Sequence, residues 1–143
     1  MIEVVLLGPS KETEAKLRWS THVEKDDAPF HLYIPKWRVP EPWPGRVYVT
    51  IQAFEGDASK FVLSPCRPLE SSIRVLVQPV SDCTRTRRYA PLSDKSEWQM
   101  GEPYIPYSLI PADSHLLLIE VQWDLHSKGQ FLGIPTFRAG RSR

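Results

Sequence analysis

Apolar and polar residues alternate one for one along much of this chain. Leu17, Trp19, Thr21 and Val23 are interleaved with Arg18, Ser20 and His22. Phe30, Leu32 and Ile34 are separated by His31 and Tyr33. Val47, Val49, Ile51 and Ala53 alternate with Tyr48, Thr50 and Gln52. Ile73, Val75 and Val77 form a fourth face, and Leu117, Ile119, Val121, Trp123 and Leu125 form the longest. A pleated strand throws successive side chains to opposite faces, so each set lines one side of a ribbon. The core expected from this pattern is Leu17, Trp19, Leu32, Ile34, Val47, Val49, Ile51, Ile73, Val75, Val77, Leu117, Ile119, Val121 and Trp123. Shorter candidate strands lie at 2–7, 60–64, 86–90 and 130–134.

Helix signals are weak. Ser10 can cap one turn before the strand at Leu17, but no apolar stripe of helical spacing follows. Proline is dense, at 14 of 143 residues, and removes a backbone donor wherever it falls. Many short strands with proline-rich connections read as an all-β fold. The expected architecture is an antiparallel two-layer sandwich of seven to nine strands, with little or no helix. The second reading is a partly open pseudo-symmetric β-barrel. One domain is expected over 1–137, with a flexible basic tail at 138–143. The polar stretch 81–95 reads as a long hairpin connection.

Tyr33-Ile34-Pro35 recurs as Tyr104-Ile105-Pro106, 71 positions later, and Val39-Pro40 recurs as Ile110-Pro111 at the same offset. An apolar strand follows each time. Such an echo marks either a duplicated unit closed into a barrel or two ordinary strand–corner–strand passages, each ended by proline. Four identities in eight positions are too few to establish a duplication, and the ordinary corner is the expectation. The run His31-Leu32-Tyr33-Ile34-Pro35-Lys36, followed by the strand Val47–Ile51, resembles the strand-end motif of B3-type and swapped-hairpin DNA-binding pseudobarrels. The resemblance implies a pseudobarrel fold and a nucleic-acid partner. Those families place a short helix after the Ile-Pro-Lys, whereas Pro40, Pro42 and Pro44 forbid a regular helix over 39–45. Membership is not assigned.

Several chemistries lack their residues. His22, His31, His115 and His126 form no His-x-x-x-His pair, and Cys66 and Cys83 belong to no Cys-x-x-Cys doublet. The two cysteines are expected as free thiols. No nucleophile elbow, phosphate loop or dinucleotide fingerprint occurs. No catalytic residue, metal site or cofactor is therefore assigned, and the reading is non-catalytic. Met1–Leu7 is too short for a signal h-region, and no apolar run is long enough to span a bilayer. A cytoplasmic location without membrane contact is the expectation.

The most unusual segment is Lys36-Trp37-Arg38-Val39-Pro40-Glu41-Pro42-Trp43-Pro44-Gly45-Arg46. Its alternating prolines favour an extended, polyproline-like corner. Its tryptophans and cations are of the kind that anchor interfaces, or alternatively fold back as lids on the core. A second cationic feature is Arg85, Arg87, Arg88 and Tyr89. The leading expectation is a protein–protein binding module using Lys36, Trp37, Arg38, Trp43 and Arg46, helped by Arg85, Arg87 and Arg88. The alternative is nucleic-acid binding, with those cations on phosphates and Trp37 or Trp43 stacking on bases. Against it, the net charge is only +1, and residues 1–71 carry 9 basic and 10 acidic side chains. A third reading is a small enzyme or ligand carrier with a pocket between sheets.

Overall fold

In a computed structural model the chain is all-β, with residues 1–21, 28–58, 72–92, 100–112 and 114–124 described. Eight antiparallel strands run in chain order: β1 (Ile2–Glu12), β2 (Lys16–Ser20), β3 (His31–Pro35), β4 (Arg46–Ala53), β5 (Ser72–Asp82), β6 (Thr86–Pro91), β7 (Tyr104–Pro106) and β8 (Leu117–Gln122). They close into one barrel in the order β1-β2-β3-β7-β6-β5-β8-β4. The sandwich expectation is thereby corrected in favour of the barrel. The reason is that alternation specifies one buried face per strand, and a sandwich and a barrel meet that demand equally. The sequence pattern is silent on whether sheet edges join.

Each half has the same wiring. In the first, β4-β1-β2-β3 are neighbours; in the second, β8-β5-β6-β7 are. Both are Greek keys, with the fourth strand returning beside the first. Local hydrogen bonds repeat as well. Thr13 N donates to Lys16 O at 2.9 Å, and Cys83 N to Thr86 O at 2.8 Å, closing the two hairpins. Lys36 N donates to Ala15 O, and Tyr107 N to Arg85 O. Each Tyr-Ile-Pro strand runs straight into a 3₁₀ turn, Lys36–Arg38 or Tyr107–Leu109. Pro9 and Pro79 sit at matching places in the long strands, and the ladder shifts register at both, since proline offers no donor there. The echo thus marks a repeated structural unit, and the ordinary-corner reading is corrected.

The halves meet unequally. β4 and β8 are joined by six registered pairs, Tyr48↔Gln122 through Ala53↔Leu117. β3 and β7 share one, His31↔Tyr104. Because β3 and β7 run antiparallel, the two 3₁₀ turns and their hairpins lie at opposite ends of the barrel.

All fourteen expected core residues are buried, joined by Leu6, Phe30, Val39, Tyr89, Met100 and Ile105. Trp19 and its counterpart Tyr89, 70 positions on, are both fully buried. The helical turn allowed before Leu17 is absent: β1 extends to Glu12 and a tight hairpin replaces it. Of the long connection expected over 81–95, residues 81–92 instead hold the end of β5, a tight turn at 83–85 and β6, and 93–95 lie outside the described residues. The strands expected at 60–64 and 130–134, Cys66, His22, His126 and the tail at 138–143 lie outside the described residues. Cys83 is a free, exposed thiol. No helix among the described residues is long and apolar enough to cross a membrane.

Candidate functional site

The tryptophan–proline corner leaves β3 and enters β4 at one end of the barrel. It is tied down at several points. Trp19, fully buried, donates its indole Nε1 to Pro44 O at 2.9 Å. Gly8 N donates to Gly45 O at 3.0 Å. Lys36 Nζ forms an ion pair with Glu12 Oε2 at 2.6 Å and lies 5.8 Å from the centre of the Trp43 ring. The corner is not the continuous extended segment expected, because Lys36–Arg38 form a 3₁₀ turn before Val39 returns to extended backbone.

The two indoles have different fates. Trp43 is half-buried and packs against the core, as a lid does. Trp37 keeps 48% of its surface exposed. Arg38, expected on the contact surface, is fully buried instead. Its Nη2 donates to Ser72 O, and its guanidinium lies 5.3 Å from the centre of the Trp123 ring. The 3₁₀ turn is the cause, since it rotates the residue after Trp37 toward the interior. Arg46 opens β4 and is exposed.

Arg85 and Arg87 belong to the β5–β6 hairpin, at the barrel end opposite the corner. They therefore form no common surface with Trp37, which corrects the expectation that they assist it. Arg87 is already engaged: its Nε donates to Asp82 Oδ1 at 2.6 Å and its guanidinium lies 5.5 Å from the Tyr107 ring centre. That hydrogen bond raises its pKa further. Burial pushes the nearby Tyr89 phenol up. Arg88 sits level with Tyr104, and its Nη1 lies 3.8 Å from Glu102 Oε1.

The barrel wall also carries a cleft. Where β7 is too short to follow β3, a cleft of about 580 Å³ opens along the seam between the halves. Thr13 and Lys16 of the first hairpin, Tyr33 of β3, Pro91 of β6, and Gly101, Glu102 and Tyr104 line it. Tyr33 and Tyr104 are the two tyrosines of the repeated Tyr-Ile-Pro. Both point outward, because their Ile34 and Ile105 neighbours are buried. Gly101 N donates to Tyr33 O at 2.6 Å, and a Cβ on Gly101 would lie 3.2 Å from Tyr33 Cβ. The echo carried this signal in the sequence, but only the barrel brings its two copies together.

His31 adjoins the seam, its Nδ1 2.6 Å from Ser20 Oγ. Burial, and then the charge of Arg18, hold its imidazole below the ordinary value. Among the described residues no three His, Cys, Asp or Glu side chains converge as metal ligands. The barrel interior is lined by the apolar core side chains, and the cleft lies outside it. No protein-family model matches the chain, and no curated protein or solved structure is significantly similar to it.

Proposed function

We propose that this protein is a non-catalytic binding module whose partner is another protein, with Trp37 as the anchor. The observation that carries the reading is an indole nearly half exposed on a corner fastened to the barrel by three separate contacts. A large aromatic held in place before contact loses little entropy on binding, which is why such residues dominate interfaces. Lys36 and Arg46 flank it at the same end. The nucleic-acid alternative has less support. Arg38 is buried, and Arg85 and Arg87 lie at the far end, so the cations it needs do not share a face.

The test compares proteins retained from native lysate by the wild type, Trp37→Ala and Trp43→Ala, each with an unchanged circular dichroism spectrum. A partner retained by the wild type, lost with Trp37→Ala and stable as salt rises supports the reading. An identical retained set with Trp37→Ala, or a partner that is nucleic acid and dissociates steeply with salt, overturns it.

A further inference from the structure

We propose that the outer wall of the first Greek key binds a phosphate monoester at Arg18, Ser10 and Ser20, and that a phosphoserine or phosphothreonine of the protein partner supplies it. The inference rests on the protein-binding reading and names what the partner carries. Four side chains from three strands form one chain of contacts on that wall. Arg18 Nε donates to Ser10 Oγ at 3.0 Å, Ser10 Oγ lies 2.8 Å from Ser20 Oγ, and Ser20 Oγ lies 2.6 Å from His31 Nδ1. Arg18, Ser20 and His31 stand on the outward face, because Leu17, Trp19 and Leu32 between and beside them are buried. The register shift in β1 between Leu7 and Lys11 sets Ser10 over Arg18 and Ser20.

Arg18 is a half-buried guanidinium held in place through its Nε. Arg87 and Arg74 are each paired with a carboxylate, Asp82 and Glu120. Arg18 has no ion pair among the described residues, and its two Nη groups remain open. Lys11, exposed and opposite Arg18 in the ladder, has no ion pair there either. Burial, and then the charge of Arg18, hold the His31 imidazole below its ordinary value, as expected beside a cation that no carboxylate offsets. A cation taken partly out of water without a counter-charge is unfavourable, and an anion from outside supplies one.

The donors select the anion. A carboxylate brings one charge and two coplanar oxygens, which the Arg18 fork alone would satisfy. A phosphate monoester brings between about 1.5 and 2 negative charges and three acceptor oxygens. Two oxygens suit the Arg18 Nη groups, the third faces the Ser10 and Ser20 hydroxyls, and Lys11 balances the second charge. A phosphodiester, with one charge and two free oxygens, leaves part of this set unmatched. His31 opens β3, and β3 runs directly into the turn that carries Trp37, so one partner can meet both.

The experiment titrates the full chain with an acetylated, amidated peptide of glycines and alanines around one phosphoserine, followed by calorimetry and by chemical shifts. Shift changes centred on Ser10, Ser20, His31 and the Arg18 Nε–H are expected. Arg18→Ala should weaken binding about tenfold, and Arg18→Lys should recover only part of the loss. Lys11→Ala, at an exposed position, should weaken it about threefold and flatten its salt dependence. Phosphatase treatment of the lysate should reduce retention of the Trp37-dependent partner. Absence of binding, equal binding of the unphosphorylated peptide, or unchanged affinity in both Arg18→Ala and Lys11→Ala overturns the inference. Tighter binding of an oligothymidine strand at the same amides also overturns it, as does partner retention that phosphatase leaves unchanged. If the peptide fails while Trp37-dependent capture of a protein persists, the phosphate assignment falls alone; if both fail, the binding-module reading falls with it.

Discussion

Arg38 donates to the Ser72 carbonyl and faces the Trp123 ring entirely out of solvent. It ties the corner of the first repeat to the first strand of the second. Removing it leaves a cavity and deprives a half-buried carbonyl of a donor. Arg38→Ala should therefore lower stability by about 3 kcal/mol, read as a lower urea midpoint at unchanged slope. Arg38→Lys should recover only part, because an ammonium lacks the planar fork that reaches the carbonyl and stacks on the indole. Wild-type stability in the alanine variant would remove this structural role. His31 gives a pH dependence. Burial and Arg18 hold its folded pKa below the ordinary 6.5, so the unfolded chain binds the proton more tightly. The sign follows: this residue costs nothing above about pH 6.5 and lowers stability progressively as the pH falls through that value toward the folded pKa. His31→Gln should show a smaller loss of urea midpoint between about pH 7.5 and pH 5 than the wild type. Equal losses would show that other groups set the slope.

β1 shows why a strand can carry a proline and a glycine in its middle. Pro9 has no donor for the ladder, and the register with β2 shifts between Leu7 and Lys11. At Gly8 the backbone folds so tightly that an added Cβ would lie 2.6 Å from Ser10 N and 3.0 Å from Arg18 O. Both neighbours are backbone and cannot swing away. Gly8→Ala should cost more than about 2 kcal/mol. Gly45, the partner of Gly8 across the corner, has nothing within 4 Å of its virtual Cβ, so Gly45→Ala should change stability by no more than about 0.5 kcal/mol. Thermal unfolding of the pair tests the contrast. A tolerated Gly8→Ala would mean that the bulge relaxes. The same element shows why Ser10 caps no helix. Its hydroxyl lies 2.8 Å from Ser20 Oγ, and Arg18 Nε donates to it at 3.0 Å. A hydroxyl serves a helix start or a strand bulge equally well, and only the cross-strand neighbours decide between them.

At the scale of the molecule, two Greek keys are joined by one long seam and one short one. The six registered pairs of β4 and β8 should protect their amides longest in hydrogen exchange, while the β3–β7 seam, with one registered pair, should exchange first among the strands. Uniform protection around the barrel would contradict this division. The short seam is also where the cleft forms, so the candidate site exists because the closure is incomplete there. The alternation of Val47, Val49 and Ile51, or of Leu117, Ile119 and Val121, was enough to name the core face, because a period of two puts each set on one side of its strand; it did not show that Leu76 and Leu118, paired on the opposite face of β5 and β8, are buried as well. The sequence also displayed Tyr33 and Tyr104, Trp37 and Arg38, and Arg85 and Arg87, but not which of them meet. Barrel closure brought the two tyrosines to one seam. A 3₁₀ turn sent Arg38 inward and left Trp37 outside, and the antiparallel relation of the halves carried Arg85 and Arg87 to the far end. Local pattern sets the face on which a side chain stands; the neighbours across that face come from pairings between residues distant in the chain, and these are fixed only when the whole sheet has closed.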